Sequence, residues 1–323
     1  MGTFVYSCLH FLVDFLCAFG MFRYFTGGAD AAVNILVYNF CAFALQMPIG
    51  AAMDCFGEDK PRMPALCALL GVMLTILGPF VHPAILGLGN AMFHVGGGFD
   101  VIREDQRLGK QGRLLGTFVA PGALGLFLGG QMAGTGNIWL PVLIALVALF
   151  ALFRLPAYEI PEPPKEIPGS VLPCLCCFLV VILRSYIGLS VVFSWKTGFL
   201  PGLVAVCAVV LGKVAGGFAA ARFCSRRTAV VTLLLAALCY LWGEVPVMGV
   251  LALLLFNMTM PLTLYQLWLR WPQYPGTVFG ALTFGLFLGF LPVALGWQIP
   301  LGGTMGSLLS LVLLLPVVRR DGR

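Results

Sequence analysis

The stretch that organises this 323-residue chain reads Gly50-Ala-Ala-Met-Asp54-Cys-Phe-Gly57-Glu-Asp59-Lys60-Pro-Arg62. It is a short, charged, glycine-marked segment between two long apolar runs. A faint repeat of it reads Gly217-Phe-Ala-Ala-Ala221-Arg222-Phe-Cys-Ser-Arg226-Arg227. In this register Gly217 corresponds to Gly50, 167 positions earlier, and Ala221 corresponds to Asp54. A segment that recurs half a chain apart indicates an internal duplication.

The composition places the chain in a lipid bilayer. Hydrophobic residues make up 60% of the sequence and charged residues only 10%, whereas a soluble domain has roughly 25% charged residues. Lipid requires every backbone polar group to be bonded internally, which leaves helices or closed barrels. The apolar runs are about 20 residues long and do not alternate, as barrel strands would. We therefore expect an all-α membrane protein. Its first run, which begins at Phe4, lacks the features of a cleaved signal peptide.

Breaks at glycine, proline and charged clusters divide the apolar sequence into twelve predicted membrane spans. A Pro-rich, charged segment at 156–169 predicts a cytoplasmic linker, so that 1–155 and 170–323 form an N-terminal and a C-terminal bundle of six helices each. The twelve predicted spans are approximately 4–24, 31–53, 62–81, 84–102, 113–134, 137–155, 170–191, 199–221, 228–243, 246–268, 275–296 and 300–318.

Lysine and arginine predict the orientation, because cytoplasmic loops carry most of the positive charge. Only Arg23 and Lys196 fall on the opposite side, which predicts cytoplasmic termini, and we expect the inner membrane of a bacterium. The net charge of +6 follows from this asymmetry and does not indicate a nucleic-acid partner. The fifteen basic residues on the cytoplasmic side are Lys60, Arg62, Arg103, Arg107, Lys110, Arg113, Arg154, Lys165, Arg222, Arg226, Arg227, Arg270, Arg319, Arg320 and Arg323.

The loop between predicted spans 2 and 3 resembles the loop signature of the major facilitator superfamily. The resemblance rests on Gly50, Asp54 and Gly57 followed by Asp59-Lys60. Cys55 replaces the usual basic residue, and the second copy lacks the aspartate. The resemblance implies two pseudo-symmetric six-helix bundles, each of two inverted triplets, that work by alternating access. It also implies a conformational latch formed by Gly50, Asp54, Gly57, Lys60 and Arg103.

Two further resemblances imply export. The segment Gly89-Asn90-Ala-Met-Phe93-His94-Val-Gly96-Gly97-Gly98, together with Arg184-Ser-Tyr186, resembles the fosmidomycin-resistance-like efflux branch. Predicted span 5 carries Pro121-Gly122 followed by Gly125 and Gly129-Gly130, which is similar to a Gly/Pro-rich motif of drug–proton antiporters.

A small set of polar side chains lies near the middle of the predicted spans. A central charge costs about 2.5–3.5 kcal/mol on the insertion scale, so such residues are candidate functional sites. Counting from each entry point places several of them about ten to fourteen residues deep. They lie in spans 1, 4, 7 and 10, which line the central cavity in the superfamily that this chain resembles. The candidates are His10, Asp14, Asn90, His94, Arg184 and Asn257.

The chemistry of the candidate residues indicates an anion-binding site and a proton-binding site. His10 and Asp14 are four residues apart and share one helical face. Arg184 keeps its charge and presents a planar fork of donors, which suits an anionic substrate. Asp14 or His94 would then carry a coupled proton. Two alternatives stay open: Asp14 and Arg184 pair with each other across the two halves, or His94 only bonds a backbone carbonyl. Lys213 is expected to extend its amine towards the interface.

We therefore predict a secondary active transporter for a small anionic or amphiphilic solute, with export favoured over import and protons as the coupling ion. No nucleotide-binding motif, nucleophile–base pair or zinc-type cysteine spacing occurs in the sequence, so we expect no enzyme, cofactor or metal. The eleven cysteines are interpreted as small apolar residues. A monomer is expected. The alternatives from other classes are a non-transporting receptor or assembly subunit and a membrane enzyme.

Overall fold

The computed structural model describes residues 2–57, 60–134, 137–153, 171–297 and 299–318. The predicted linker 156–169 and Asp59 lie outside these residues. Helices form nearly all of the described chain. They are α1 (Gly2–Gly20), α2 (Ala31–Asn39), α3 (Gln46–Gly57), α4 (Met63–Leu77), α5 (Pro83–Arg107), α6 (Arg113–Val119), α7 (Pro121–Met132), α8 (Trp139–Phe153), α9 (Val171–Ser190), α10 (Phe199–Phe223), α11 (Ser225–Leu241), α12 (Pro246–Asn257), α13 (Thr259–Trp268), α14 (Pro275–Ala294) and α15 (Gly303–Leu314).

The described helices confirm the prediction of an all-α membrane protein. Within the described ranges, nine helical segments are long and apolar enough to cross a bilayer, and α15 is a shorter apolar helix. The division into twelve spans stays a prediction. The nine segments are Gly2–Phe25, Ala31–Phe56, Met63–Phe80, Pro83–Arg107, Arg113–Met132, Val171–Ser190, Phe199–Phe223, Pro246–Trp268 and Pro275–Ala294.

Local chemistry explains the interruptions inside the longer segments. π-Helical turns at Met21–Phe25 and Phe40–Ala44 extend α1 and join α2 to α3. The break between α6 and α7 precedes Pro121, because proline lacks an amide hydrogen and disfavours helical backbone in the residue before it. Each of these breaks stays within one apolar segment.

The chain forms two compact units. Unit 1 comprises Met1–Leu108, Pro121–Glu162 and Gln273–Phe284, and unit 2 comprises Gly109–Ala120, Pro163–Pro272 and Gly285–Arg323. The division into bundles 1–155 and 170–323 stays a prediction. Unit 2 takes α6 from the first half of the chain, and unit 1 takes the beginning of α14 from the second half.

In unit 1, α4 and α5 pack backbone to backbone at glycines. A methyl group added to Gly71 would collide with the Phe93 amide, and one added to Gly89 would lie 2.5 Å from the Thr75 nitrogen. Small residues allow such close approach in lipid, where packing rather than the hydrophobic effect holds helices together.

Hydrogen bonds join α5 to α1. The amide and the hydroxyl of Thr3 in α1 both donate to the Glu104 carboxylate of α5, at 2.7 and 2.5 Å.

In unit 2, hydrogen bonds hold α9 and the connection that follows it. The Ser185 hydroxyl donates to the Leu286 carbonyl of α14 at 2.7 Å. Beyond the helix, the amide and hydroxyl of Ser194 donate to Glu244, which follows α11. These bonds favour the carboxylate and lower the pKa of Glu244. The Trp195 indole donates to the Gly243 carbonyl at 2.9 Å.

We expect Gly71→Ala to destabilise the protein by about 1 to 3 kcal/mol, because the added methyl group overpacks the contact between α4 and α5. Gly188→Ala in α9 is the matched control, since nothing lies within 4 Å of the position that its methyl group would take. The thermal unfolding midpoint of the purified protein in detergent measures both. Equal midpoints for the two variants would contradict the close packing.

Candidate functional site

Four of the predicted site residues meet in unit 1. His10 and Asp14 lie one turn apart on α1, and Asn90 and His94 lie one turn apart on α5, so each pair shares a helical face. The exposed fractions of these four side chains are 5%, 6%, 1% and 7%. The packing of α1 against α5 therefore brings two polar faces together in the interior of unit 1.

Hydrogen bonds connect all four residues. The Asn90 amide donates to Asp14 Oδ1 at 3.0 Å, and His94 Nδ1 lies 2.8 Å from the Asn90 carbonyl oxygen. The two Nε2 atoms of His10 and His94 are 2.8 Å apart. Asp14 lies beside both rings, with Oδ2 at 3.3 Å from His10 Nε2 and Oδ1 at 3.6 Å from His94 Nε2. His94 thus bonds a backbone carbonyl, which the sequence left open as an alternative, and it also lies beside Asp14; its part in proton coupling stays a prediction.

Gly122 of α7 covers this cluster. A methyl group on Gly122 would lie well under 3.0 Å from both Asp14 Oδ2 and His10 Nε2. The Phe93 ring packs on the other side, with its centroid 5.4 Å from that of His94 and 6.1 Å from that of His10. The cluster is therefore enclosed by helix backbone and an aromatic ring.

The three side chains His10, Asp14 and His94 are of the types that bind transition metals, and one ligand atom of each lies within 4.8 Å of the others. Two ligands at about 2.0 to 2.1 Å from a tetrahedral zinc ion are about 3.3 Å apart. The separation of 2.8 Å between the two Nε2 atoms is shorter, and is that of a hydrogen bond. The backbone of Gly122 also fills the adjoining space. The geometry fits a hydrogen-bonded cluster better than a metal site.

Arg184 and Asn257 lie in unit 2 and do not belong to this cluster. Arg184 is 8% exposed in α9, and its Nη1 atom is buried without a hydrogen-bond partner among the described residues. The Asn257 amide donates to the Leu253 carbonyl of its own helix at 2.8 Å. Lys213 of α10 donates to the Val119 carbonyl at 3.2 Å, which lies at the break between α6 and α7.

Charge is distributed very unevenly between the units. The described acidic residues of unit 2 comprise Glu244 alone, and it lies in a connection outside the helices. Arg184 therefore has no carboxylate of its own unit beside it within the described chain. The six described acidic residues of unit 1 are Asp14, Asp30, Asp54, Asp100, Glu104 and Asp105.

The C-terminal part of α3, which carries Gly50 and Asp54, contacts the beginning of α14 inside unit 1. Asp54 accepts hydrogen bonds from the Gly276 amide at 2.9 Å and from the amide and hydroxyl of Thr277, both at 2.6 Å. A carboxylate at this position binds amides that have no partner within the helix and complements the helix dipole. Gly50 allows the approach, because a methyl group there would collide with the Gly276 carbonyl.

Of the other predicted latch residues, Gly57 and Lys60 follow Asp54 in the chain and Arg103 lies on α5. Gly57 ends α3, and Lys60 is exposed in the connection to α4. Arg103 of α5 stacks its guanidinium over the Phe99 ring, 4.3 Å from the centroid. Sequence reasoning did not identify Gly276 and Thr277, although Pro275 marks the first residue of α14 and could have indicated a helix start.

Equivalent glycine contacts occur in both units. In unit 1 a methyl group on Gly280 would collide with the Gln46 carbonyl, and in unit 2 one on Gly116 would lie 2.6 Å from the Lys213 carbonyl. Lys213 follows Gln46 by 167 positions, the offset of the repeat, and Gly280 follows Gly116 by 164. The contact of Gly50 with Gly276 likewise has a counterpart between Gly217 and Gly112. The same pairs of segments thus meet in each unit.

The fold of the chain is similar to that of solved transporter structures. The chain is similar to a crystal structure of the Escherichia coli fucose:proton symporter FucP carrying an Asn-to-Ala substitution, with a TM-score of 0.61, 13% identity and 96% of each chain covered. A second FucP structure, in the outward conformation, gives a TM-score of 0.60 at 11% identity over 97% of each chain. The chain has the major facilitator fold.

The human organic anion transporter MFSD10 (TETRAN) is similar to the same degree, with a TM-score of 0.61, 15% identity and 97% of each chain covered. These proteins are transporters and not enzymes. The sequence matches no family model and no curated protein. The resemblance to the fosmidomycin-resistance-like branch stays a prediction.

We expect Asp54→Asn to speed hydrogen exchange at the Gly276 and Thr277 amides by about tenfold to a hundredfold, because a bond to a charged acceptor contributes about 1.5 to 3 kcal/mol. Exchange mass spectrometry of the peptide that begins α14 measures this. Cys55→Ser, at an exposed neighbouring position, is the control. Unchanged exchange in Asp54→Asn would show that the carboxylate does not hold the helix terminus.

Proposed function

We propose that the chain is a major facilitator transporter that moves a small organic anion across a membrane by alternating access, coupled to protons. The proposal rests mainly on the environment of Arg184. It is a buried guanidinium with an unpartnered Nη1 atom, in a unit whose described helices hold no carboxylate. Burying an unpaired charge is costly, so an anionic ligand that supplies the missing partner would be bound strongly at this position.

Two observations support the proposal. The solved structures of this fold include an organic anion transporter and a proton symporter by name. The cluster of His10, Asp14 and His94 supplies titratable groups away from bulk water, which a coupled proton requires. Proton carriage by Asp14 or His94, as the sequence predicts, is part of the proposal. Asn90 would position both residues through its amide and its carbonyl.

Direction and location follow from the sequence patterns. The Gly/Pro-rich motif of α7 and the resemblance to efflux proteins favour export, by antiport with protons. The second candidate is proton-coupled import, which the similarity to a symporter favours. We place the chain in a bacterial inner membrane as a monomer with both termini in the cytoplasm, according to the distribution of lysine and arginine.

We expect Arg184→Gln to lose binding of anionic solutes while binding of matched neutral solutes is unchanged. Pairs such as gluconate with glucose and benzoate with benzyl alcohol, screened on the purified protein, test this through ligand-induced rises of the unfolding midpoint. Arg184→Lys is the control that keeps the charge without the planar fork. Equal loss of anionic and neutral solutes in Arg184→Gln would contradict recognition of charge.

We expect Asp14→Asn to remove the dependence of transport on a pH gradient, because the cluster loses the carboxylate beside both imidazoles. Uptake of the best-binding anion into proteoliposomes, with and without an imposed gradient, measures the dependence. Asp30→Asn, which changes an acidic residue of the same unit outside the cluster, serves as the control. A response to the gradient that Asp14→Asn leaves intact would contradict a role of this cluster in coupling.

A further inference from the structure

The hydrogen bonds of the cluster determine where its protons lie. A carbonyl oxygen only accepts, so His94 Nδ1, at 2.8 Å from the Asn90 carbonyl oxygen, must carry a hydrogen. A neutral His94 then has its lone pair on Nε2. Because the two Nε2 atoms are 2.8 Å apart, one proton must lie between them, and His10 supplies it.

The pair can take up one further proton without losing a hydrogen bond. His10 can accept that proton at Nδ1 while Nε2 still donates to His94. Alternatively, the shared proton moves to His94 while His10 keeps its hydrogen on Nδ1. Either way the positive charge lies within 3.3 to 3.6 Å of the Asp14 carboxylate. The loaded cluster is then neutral overall, whereas the unloaded cluster carries one negative charge.

Asp14 itself accepts a hydrogen bond and lies beside the proton shared by the two rings. Asn90 donates its amide to Oδ1 at 3.0 Å, and His10 Nε2 lies 3.3 Å from Oδ2. The Asn90 bond and a positive charge on the loaded pair both favour the ionised carboxylate. A hydrogen on Asp14 would have to displace the Asn90 bond or point at the Nε2 atoms, which the shared proton already occupies.

We infer that the His10–His94 pair is the proton-binding group, with the proton shared between the two Nε2 atoms, and that Asp14 stays ionised as its counter-ion. His10 therefore shares the proton with His94, and Asp14 does not carry it. Asn90 is a positioning residue, since it orients His94 through its carbonyl and Asp14 through its amide. The role of the pair in transport rests on the proposed function, but its protonation does not.

Other titratable groups lie on the elements packed around the pair. Helix α1 adds Tyr6, Cys8 and Cys17, whose sulfur lies 3.5 Å from the Asn90 amide. The neighbouring elements contribute Tyr38 of α2, Cys41 of the π-helical turn between α2 and α3, Asp54 and Cys55 of α3, and Cys67 of α4. Helices α7 and α8 contribute none in their described residues. The acidic residues at the end of α5 begin with Asp100, which accepts a hydrogen bond from Tyr6.

Nitrogen NMR of the full-length protein tests the inference directly, because the chain has only three histidines. The protein is labelled with ¹⁵N-histidine and placed in lipid nanodiscs, without any solute. His82→Gln removes the remaining histidine. His82 directly precedes α5, and its ring accepts a hydrogen bond from the Ala84 amide. We expect the pair to pass from two to three protonated nitrogens in a single step as the pH falls. A coupling between the two Nε2 nuclei should be present on both sides of that step.

Three results would overturn the inference. The first is independent titration of His10 and His94 with uptake of two protons, and the second is absence of the coupling between the Nε2 nuclei. The third is an infrared band of a protonated carboxylic acid that appears in the titration and vanishes in Asp14→Asn, which would make Asp14 the proton carrier. The spectra test where the proton binds, independently of transport. If proteoliposomes carrying this protein show no proton-coupled flux, the proposed function is wrong, but the spectra still show which side chains bind the proton.

A glycine substitution gives a second test that keeps all titratable groups. Gly122→Ala places a methyl group against His10 and Asp14, so we expect it to separate the pair and abolish the coupling between the Nε2 nuclei. Gly130→Ala on the same helix is the control, since its methyl group would meet only the Phe22 ring, at 3.4 Å. Retention of the coupling and of the one-proton step in Gly122→Ala would contradict the enclosed geometry.

Discussion

Backbone contact at glycine is the constraint on which this structure depends. In lipid the side chains of a helix gain little by leaving one apolar environment for another, so association requires close packing and hydrogen bonds. The contacts of Gly71 with the Phe93 amide and of Gly50 with the Gly276 carbonyl bring whole helices together. These contacts set the register of α5 and α14, and the polar side chains of both helices take their positions from it.

Once the register is set, each buried polar group has to find a partner inside the protein. In unit 1 the Asn90 amide nitrogen and carbonyl bond Asp14 and His94, and Asp54 accepts bonds from the first amides of α14. A few buried polar atoms have no hydrogen-bond partner in the described chain, and Arg184 Nη1 is one that belongs to a charged group. Such an unpartnered charged donor is costly to bury.

The sequence allowed the all-α membrane class and four members of the cluster to be predicted, but not their connections, and Arg184 and Asn257 lie apart from them. The length of the apolar runs and the breaks between them indicated helices, and the spacing of His10 and Asp14 placed these two on one face. The bond between His10 and His94 depends on the relative register of α1 and α5, which one-dimensional spacing does not contain. The same holds for Gly122 and for the bonds from Thr277 to Asp54. Glycine patterns indicated close packing without indicating which backbone would be met.

The repeated contacts explain how two related halves can take different chemical roles. Gly50 with Gly276 and Gly217 with Gly112 conserve a backbone contact in each unit, and such a contact tolerates no side chain at the glycine. Neighbouring positions are free to differ, so Asp54 corresponds to Ala221 and Gln46 to Lys213 in the register of the repeat. Acidic and imidazole groups are concentrated in unit 1, while the helices of unit 2 carry cations. The two units can therefore differ in their polar side chains on one repeated backbone framework, because the contacts of that framework are made by glycines, which carry no polar side chain.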